Sequence, residues 1–397
     1  MLRGEIMNTK DDRKYMKMAL NLALRGQGKV NPNPLVGAVI VKNKRILAKG
    51  YHERYGGLHA ERSAIYSAKE SLEGATMYVN LEPCCHYGKT PPCTEIIIKS
   101  GIKKVFVGSR DPNPKVAGKG CKILRENGIE VIEDFMKLEC DNINKVFLKY
   151  IREKKPYVIM KYAMTMDGKI ATYSEKSRWI TGEESRARVH LDRHRYSAIM
   201  VGVNTVIKDD PMLNARIEEI KNIVDISEFE NYGIIKSEDS YKLSQPIRII
   251  CDTSLRTPLD SKILKTAKEY KTIIVTCSDD IFKIKKFEEK GCHLITQKSS
   301  NKINLEKLME TLGRMKIDSI ILEGGASLNW SAMNEGIVDM VQSYISGKIF
   351  GGLGAQTAIS GKGIEDPNDS FNLNIKSISR YGEDILVESE VLNCLQE

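Results

Sequence analysis

Strand-type and helix-type runs alternate along this chain in two series, separated by a charged segment that ends in proline. This alternation constrains the fold more than any other feature, because strands alternating with helices assemble into a sheet layered by helices. In the first series, Tyr15, Met18, Ala19, Leu22 and Ala23 recur at the spacing of a one-faced helix. Residues 35–41 form a continuous apolar run of strand type, and 45–50 can pair with it as a hairpin across 42–44. A helix is expected at 59–68, a strand at 75–81, a helix at 93–100 and a strand at 103–108. Residues 152–156 read as a linker. The second series begins at Tyr157, with strands expected at 157–163, 198–202, 247–252, 272–276, 319–322 and 340–345. Between 217 and 245 the chain turns polar, as a surface excursion does. The expected domains are 1–152 and 156–397, both α/β.

With 397 residues, the chain has room for two or three domains and needs no disulfide staples. Its nine cysteines are an odd number, and Cys251 and Cys277 lie in apolar runs, which fits reduced thiols in a cytoplasmic protein. No apolar run approaches the roughly 18–20 residues that span a bilayer. The first ten residues lack the apolar stretch of a secretory signal. A net charge of +9 suits an anionic partner, whether a phosphorylated metabolite, a phosphate-bearing cofactor or RNA.

The strongest chemistry lies in His59-Ala60-Glu61, followed by Pro83-Cys84-Cys85 and by Pro91-Pro92-Cys93. One imidazole and two thiolates make a zinc site with three protein ligands, which leaves a fourth position for water. A carboxylate beside that position can move protons. On a helix, His59 and Glu61 stand about 200° apart around the axis, so they share a target only beyond the helix N-terminus. Cys93 also opens a helix, whose positive end favours a thiolate. Cys85 competes with Cys84 for the ligand role; adjacent residues on an extended loop face opposite sides, and Cys84 is the choice. Zinc deaminases carry H-x-E with P-C-x-x-C. Here eight residues separate Cys84 from Cys93, and the intervening loop carries His86 and Lys89, donors suited to a polar or phosphorylated substrate.

The run Asn31-Pro32-Asn33-Pro34-Leu35-Val36-Gly37, with the His59 and Pro83 motifs and Gly88-Lys89-Thr90-Pro91-Pro92-Cys93, resembles the bifunctional riboflavin-biosynthesis deaminase–reductases, whose ligand spacing is equally long. The resemblance implies a cytidine-deaminase-like three-layer domain followed by a dihydrofolate-reductase-like α/β domain. It implies zinc on His59, Cys84 and Cys93, with Glu61 as proton shuttle. It implies substrate contacts from Asn33, His52, His86 and Lys89. The first domain of the family deaminates a diaminopyrimidinone bearing a phosphoribosylamino group, and the second reduces the ribosyl chain to ribityl with NADPH.

The second series contains no G-x-G-x-x-G, which disfavours a Rossmann-type site. A strand at 319–322, the turn Glu323-Gly324-Gly325 and a helix from Ala326 offer another phosphate cradle, at a helix N-terminus. The segments 161–171, 177–181, 202–206 and 209–216 resemble the reductase half of the same family, so the likeness covers nearly the whole chain. It implies that NADPH meets Ala163, Trp179, Thr205, Asp209, Thr253 and the turn Gly325, Ala326, Ser327, Leu328, Asn329, Trp330, Ser331. It implies that Ser177, Arg193, Leu213, Arg216 and Glu323 hold the substrate. Arginine grips a sugar phosphate through paired charged hydrogen bonds. Lys161 and Glu323 are the ionisable groups to test for proton transfer, with Lys161 the catalytic candidate.

The competing reading is a zinc deaminase, or a zinc-stabilised module, acting on RNA. Against it, no Lys/Arg-rich block interleaved with aromatics appears, and the second domain would have no task. The expected partners are therefore a phosphorylated pyrimidine and NADPH, without nucleic acid or membrane. Deaminase-type sheets often pair through helices, so a homo-oligomer is also expected.

Overall fold

The computed structural model describes residues 10–87, 91–113, 116–237, 240–297 and 301–392. The chain divides into two compact units, Met1–Lys154 with Ser227–Tyr241, and Lys155–Ile226 with Lys242–Glu397.

The first unit runs α1 (Lys10–Leu24), β1 (Gly37–Lys42), β2 (Arg45–Tyr51), α2 (Ala60–Ser67), β3 (Thr76–Leu81), α3 (Cys93–Lys99), β4 (Lys104–Ser109), α4 (Lys119–Glu126), β5 (Glu130–Ile132) and α5 (Lys137–Glu153). Its five-stranded sheet has the order β2-β1-β3-β4-β5. β1 is antiparallel to both neighbours, whereas β3, β4 and β5 are parallel. Period-two alternation sends Ala38, Ile40, Met77, Val79, Val105 and Val107 into a core with α2, α3 and α4. Val39, Val41, Tyr78 and Phe106 point the other way, onto Tyr15, Met16, Ala19 and Leu20 of α1. Both faces are covered, which is why these strands read as unbroken apolar runs. The buried face of α1 is rotated from the one expected. Met16 and Leu20 are buried with Tyr15, Ala19 and Ala23, while Met18 and Leu22 pack at the rim. Apolar residues surround most of this helix, so spacing alone did not select the face.

The second unit runs β6 (Tyr157–Thr165), α6 (Glu183–Arg195), β7 (Ala198–Gly202), α7 (Val203–Asp209), then, after the excursion strands β8 (Ile235–Ser237) and β9 (Ser240–Lys242) that fall largely in the first unit, β10 (Ile247–Cys251), α8 (Lys262–Lys265), β11 (Thr272–Thr276), α9 (Ile281–Glu289), β12 (His293–Thr296), α10 (Leu305–Arg314), β13 (Ser319–Leu322), α11 (Ala326–Asn334), β14 (Met340–Ser346), β15 (Leu373–Tyr381) and β16 (Asp384–Val391). Its nine-stranded sheet has the order β12-β11-β10-β7-β13-β6-β14-β16-β15. From β12 to β14 the strands are parallel, and β16 and β15 close the sheet as an antiparallel hairpin. In an open parallel sheet, ligands settle beyond the carboxyl ends of the strands. β7, β10 and β13 end at Gly202, Cys251 and Leu322, and the residues that follow line the large cavity described below.

Most of the excursion, although flanked by strands of the second unit, packs with the first. Arg25 pairs with Glu230 at 3.0 Å. Gly233 lies so near Gln27 that an added Cβ would stand 2.5 Å from its carbonyl oxygen. The expectation of a purely superficial segment is corrected at Ile220, Phe229, Ile234 and Leu243, which are buried. Four scattered apolar anchors among many polar residues leave little periodic signal.

Candidate functional site

His59 is the N-cap of α2, with extended backbone, so its ring projects beyond the helix end. Its Nδ1 lies 3.4 Å from Cys84 Sγ and 3.4 Å from Cys93 Sγ. A tetrahedral zinc with ordinary Zn–N and Zn–S bonds would set such atoms about 3.6 Å apart. All three donor atoms fall within 4.8 Å of one another. One imidazole and two thiolates at this spacing fit a zinc ion.

The protein builds this arrangement from three backbone segments. Cys84 caps α3: its Sγ accepts from Cys93 N–H at 3.3 Å, and its carbonyl accepts from Thr94 N–H at 3.2 Å. α2 rests against β2 at Gly50, where a Cβ would stand 2.3 Å from Ala64 N. Glu82, also buried, accepts backbone N–H groups from Asp111, Gly118 and Cys121 and so ties the loop before α4 to the strand that leads into Cys84. At Gly120 an added Cβ would lie 2.1 Å from Pro83 O.

Glu61 follows in the first turn of α2 and is 3% exposed. Burial, then the neighbouring Cys84 sulfur, pushes its carboxyl up to about 7, and His59 only partly offsets them. Hydrogen bonds from Cys93 and His59, opposed by burial, hold the Cys84 thiol down at about 4.

Beside these groups opens a cavity of about 380 Å³, lined in part by Asn33, His52, Glu61 and His86. Asn80 and Asn144 hold the backbone of Leu35, which fixes the preceding Asn33 turn. Asn33 Nδ2 meets His52 Nε2 at 3.1 Å, and His52 Nδ1 meets the Leu58 carbonyl at 2.9 Å. The second contact makes Nδ1 the donor, so Nε2 accepts from Asn33. Burial lowers the His52 pKa, in keeping with a neutral ring. His86 Nδ1 is buried without a hydrogen-bond partner among the described residues. Lys89 lies outside the described residues. Sequence reasoning missed Asp111, Asn113 and Tyr150, which line the same cavity. Asp111-Pro112-Asn113 directly after β4 was a legible turn signal at a strand's carboxyl end.

The second unit holds a cavity of about 780 Å³, lined by Ser177, Thr205, Asp209, Thr253, Glu323, Gly325, Ala326, Ser327, Leu328 and Ser331 among others. α11 starts after Gly325 with no side-chain cap, leaving a helix N-terminus toward the cavity. This fits a dinucleotide phosphate. Glu323 forms two bonds with Arg193, of 3.0 and 2.8 Å, and Arg193 also donates to the Asn214 carbonyl at 3.3 Å. Lys161 is half-buried near this pair; desolvation lowers its pKa and Glu323 partly restores it. Arg216 donates to the Asn214 and Glu219 side chains and lies against His190. Burial and the cations Arg193 and Arg216 push His190 down to about 3.

Several predicted residues do not line this cavity. Lys161, Arg193, Leu213 and Arg216 stand behind Glu323 or on adjoining elements, and Ala163 lies along β6. Trp179 is 60% exposed, with the Arg186 guanidinium 4.4 Å over its ring. Asn329 is buried and donates to the Ala358 carbonyl. Trp330 faces a separate apolar cleft, edge-on to Phe371 at 6.0 Å. Ser327 and Ser331 line the cavity from α11, whereas Trp330 lines the other cleft.

Residues 9–109 match the cytidine and deoxycytidylate deaminase zinc-binding region, and residues 156–387 match the RibD C-terminal domain. The chain is 52% identical over 395 residues to the riboflavin biosynthesis protein RibD of Actinobacillus pleuropneumoniae, covering 99% of each chain. Its structure is similar to that of a diaminohydroxyphosphoribosylaminopyrimidine deaminase/5-amino-6-(5-phosphoribosylamino)uracil reductase from Thermotoga maritima, with TM-score 0.81, 35% identity and coverage of 96% and 99%. Acinetobacter baumannii RibD is similar as well, with TM-score 0.82, 33% identity and coverage of 97% and 99%.

Proposed function

The chain belongs to the family of bifunctional riboflavin-biosynthesis deaminase–reductases, and from that premise we propose which substrates it takes and which residues act on them. The membership makes it a zinc-dependent deaminase and an NADPH-using reductase, in place of the RNA reading. The substrate of the first site is 2,5-diamino-6-(5-phosphoribosylamino)pyrimidin-4(3H)-one, and that of the second is 5-amino-6-(5-phosphoribosylamino)uracil. The observation that carries the first assignment is His59 Nδ1 at 3.4 Å from both sulfurs, with Glu61 buried alongside.

His59, Cys84 and Cys93 hold the zinc, which when bound activates water as a Lewis acid. Glu61, buried beside the ligands with its carboxyl raised by that burial, is placed to accept and release a proton. It carries that proton from the attacking water to the departing nitrogen. Asn33, His52 and His86 orient the ring, and Lys89 is the cation proposed for the phosphate. Deaminase residues 1–152 and reductase residues 156–397 form the two functional domains.

In the second site NADPH supplies the hydride. Thr205, Asp209, Thr253 and the start of α11 hold it. Ser177 and Glu323 align the sugar, with Arg193 fixing Glu323 from behind. Lys161 is the proton donor nearest the buried pair.

Zinc analysis tests the assignment when combined with incubation of the purified protein with the diaminopyrimidinone phosphate and NADPH. Ammonia release and loss of NADPH absorbance are followed separately. One zinc per chain and both signals are expected; ammonia release from metal-free protein refutes the first site. The described cysteines are free thiols, which supports a cytoplasmic location. A homo-oligomer is supported by edge strand β15, where Leu373, Ile375 and Ile378 are exposed. A monomer by light scattering excludes it.

A further inference from the structure

Arg62 follows Glu61 on α2, yet its side chain is turned away from the substrate cavity and is 7% exposed. Its guanidinium makes three hydrogen bonds. Nε donates to the Pro91 carbonyl at 3.1 Å, Nη2 to the Pro92 carbonyl at 3.1 Å, and Nη1 to Tyr66 Oη at 3.1 Å. Pro91 and Pro92 are the last residues before Cys93, and Pro92 is the N-cap of α3, whose first N–H is met by Cys84 Sγ. One planar fork therefore joins the helix that carries His59 and Glu61 to the turn that delivers Cys93.

We propose that Arg62 is a positioning residue for the metal centre: by gripping the Pro91 and Pro92 carbonyls it holds Cys93 Sγ where His59 and Cys84 can share an ion with it. The argument rests on the zinc reading above. Cys84 is already tied to α3 through its sulfur and carbonyl, and Glu82 anchors the strand exit before it. Among the described residues, the hydrogen bonds from α2 to the backbone carbonyls that precede Cys93 are those of Arg62. Without them, α3 can shift with Cys84 while His59 stays on α2. Proline suits this arrangement, because a residue without an N–H offers its carbonyl freely and keeps a narrow backbone range.

The test uses the full chain loaded with zinc. Release into a colorimetric chelator is timed for the wild type, Arg62→Ala and Arg62→Lys, and the sulfur-to-metal charge-transfer band is recorded for the cobalt-substituted proteins. Outer partners of metal ligands typically change metal affinity by about 10–100-fold. Arg62→Ala should lose zinc faster by a factor in that range and alter the cobalt band. Arg62→Lys, which can reach one carbonyl but not form the fork, should fall between. NADPH-dependent reduction of the deaminated intermediate reports on the rest of the chain and should be unchanged. Zinc release at the wild-type rate with an unaltered cobalt band overturns the proposal. So does loss of reductase activity together with zinc, which marks general unfolding. A wild-type chain that binds no zinc refutes the underlying reading instead.

Discussion

Arg193 and Glu323 face each other through two parallel N–H···O bonds, and only 12% of either side chain is exposed. The pair links α6 to the turn after β13, so the residue that opens the glycine cradle is fixed from a neighbouring helix. Lys161, half-buried, is a second cation acting on the same carboxylate.

Replacing Arg193 with Met should therefore cost more than a surface ion pair would. It leaves the Glu323 carboxylate buried with Lys161 as its remaining cation. Breaking a buried pair from one side costs about 3 kcal/mol or more. Urea unfolding should show that loss, and reduction should fall sharply while ammonia release persists. A change below about 0.5 kcal/mol would place the pair among ordinary surface contacts.

The same cluster sets a pH dependence. Burial alone would raise the Glu323 carboxyl, but Arg193 and then Lys161 outweigh it and hold it at about 2 against an ordinary 4.5. A carboxyl depressed in the folded state contributes stability that is complete above pH 4.5 and is lost as pH falls toward 2. The gap in unfolding free energy between the wild type and Glu323→Gln should be widest above pH 4.5 and narrow steadily below it. A gap that stays constant across that range contradicts the assignment.

At the first site, Glu61→Gln keeps the shape of the side chain and removes its proton chemistry. Positioned acid–base groups contribute about 10²–10⁴-fold in rate. Ammonia release should fall by that factor, with bound zinc and reduction of the deaminated intermediate both preserved. Loss of both activities with the fold intact would mean that the two sites are not independent.

Gly120→Ala probes the loop around the metal ligands without touching one. The added Cβ would lie 2.1 Å from the Pro83 carbonyl, so backbone must move. The substitution should lower deaminase turnover and zinc retention at least severalfold and leave NADPH oxidation unaffected. Equal zinc retention in the two proteins would show that this contact is slack.

Much of this molecule is legible in its residues. β7, β11 and β13 are short apolar runs buried on both faces, and their limits follow from composition. The ligand set was legible because His59, Cys84 and Cys93 combine rare side chains with helix-start signals. β15 and β16 escaped notice because they form a polar hairpin with much of its surface exposed, so no long apolar run marks them. Asp111, Glu82 and Arg62 escaped for another reason. Each acts through backbone groups 29 to 39 positions away, or lines a cavity assembled from several elements, and neither property has a local pattern. Trp330 shows the converse failure: it was grouped with the cradle by adjacency in the chain, although its ring lies in a separate cleft against Phe371.

The assignment of Ser227–Tyr241 to the first unit bears on any attempt to dissect the protein. Scissors applied at residue 155 would separate two incomplete pieces. The amino-terminal fragment would forfeit the packing of Phe229 and the Arg25–Glu230 pair. Its carboxy-terminal counterpart would carry a fifteen-residue passenger with greasy anchors and nowhere to bury them. A stand-alone reductase is better sought by excising that passenger with a short splice than by simple truncation.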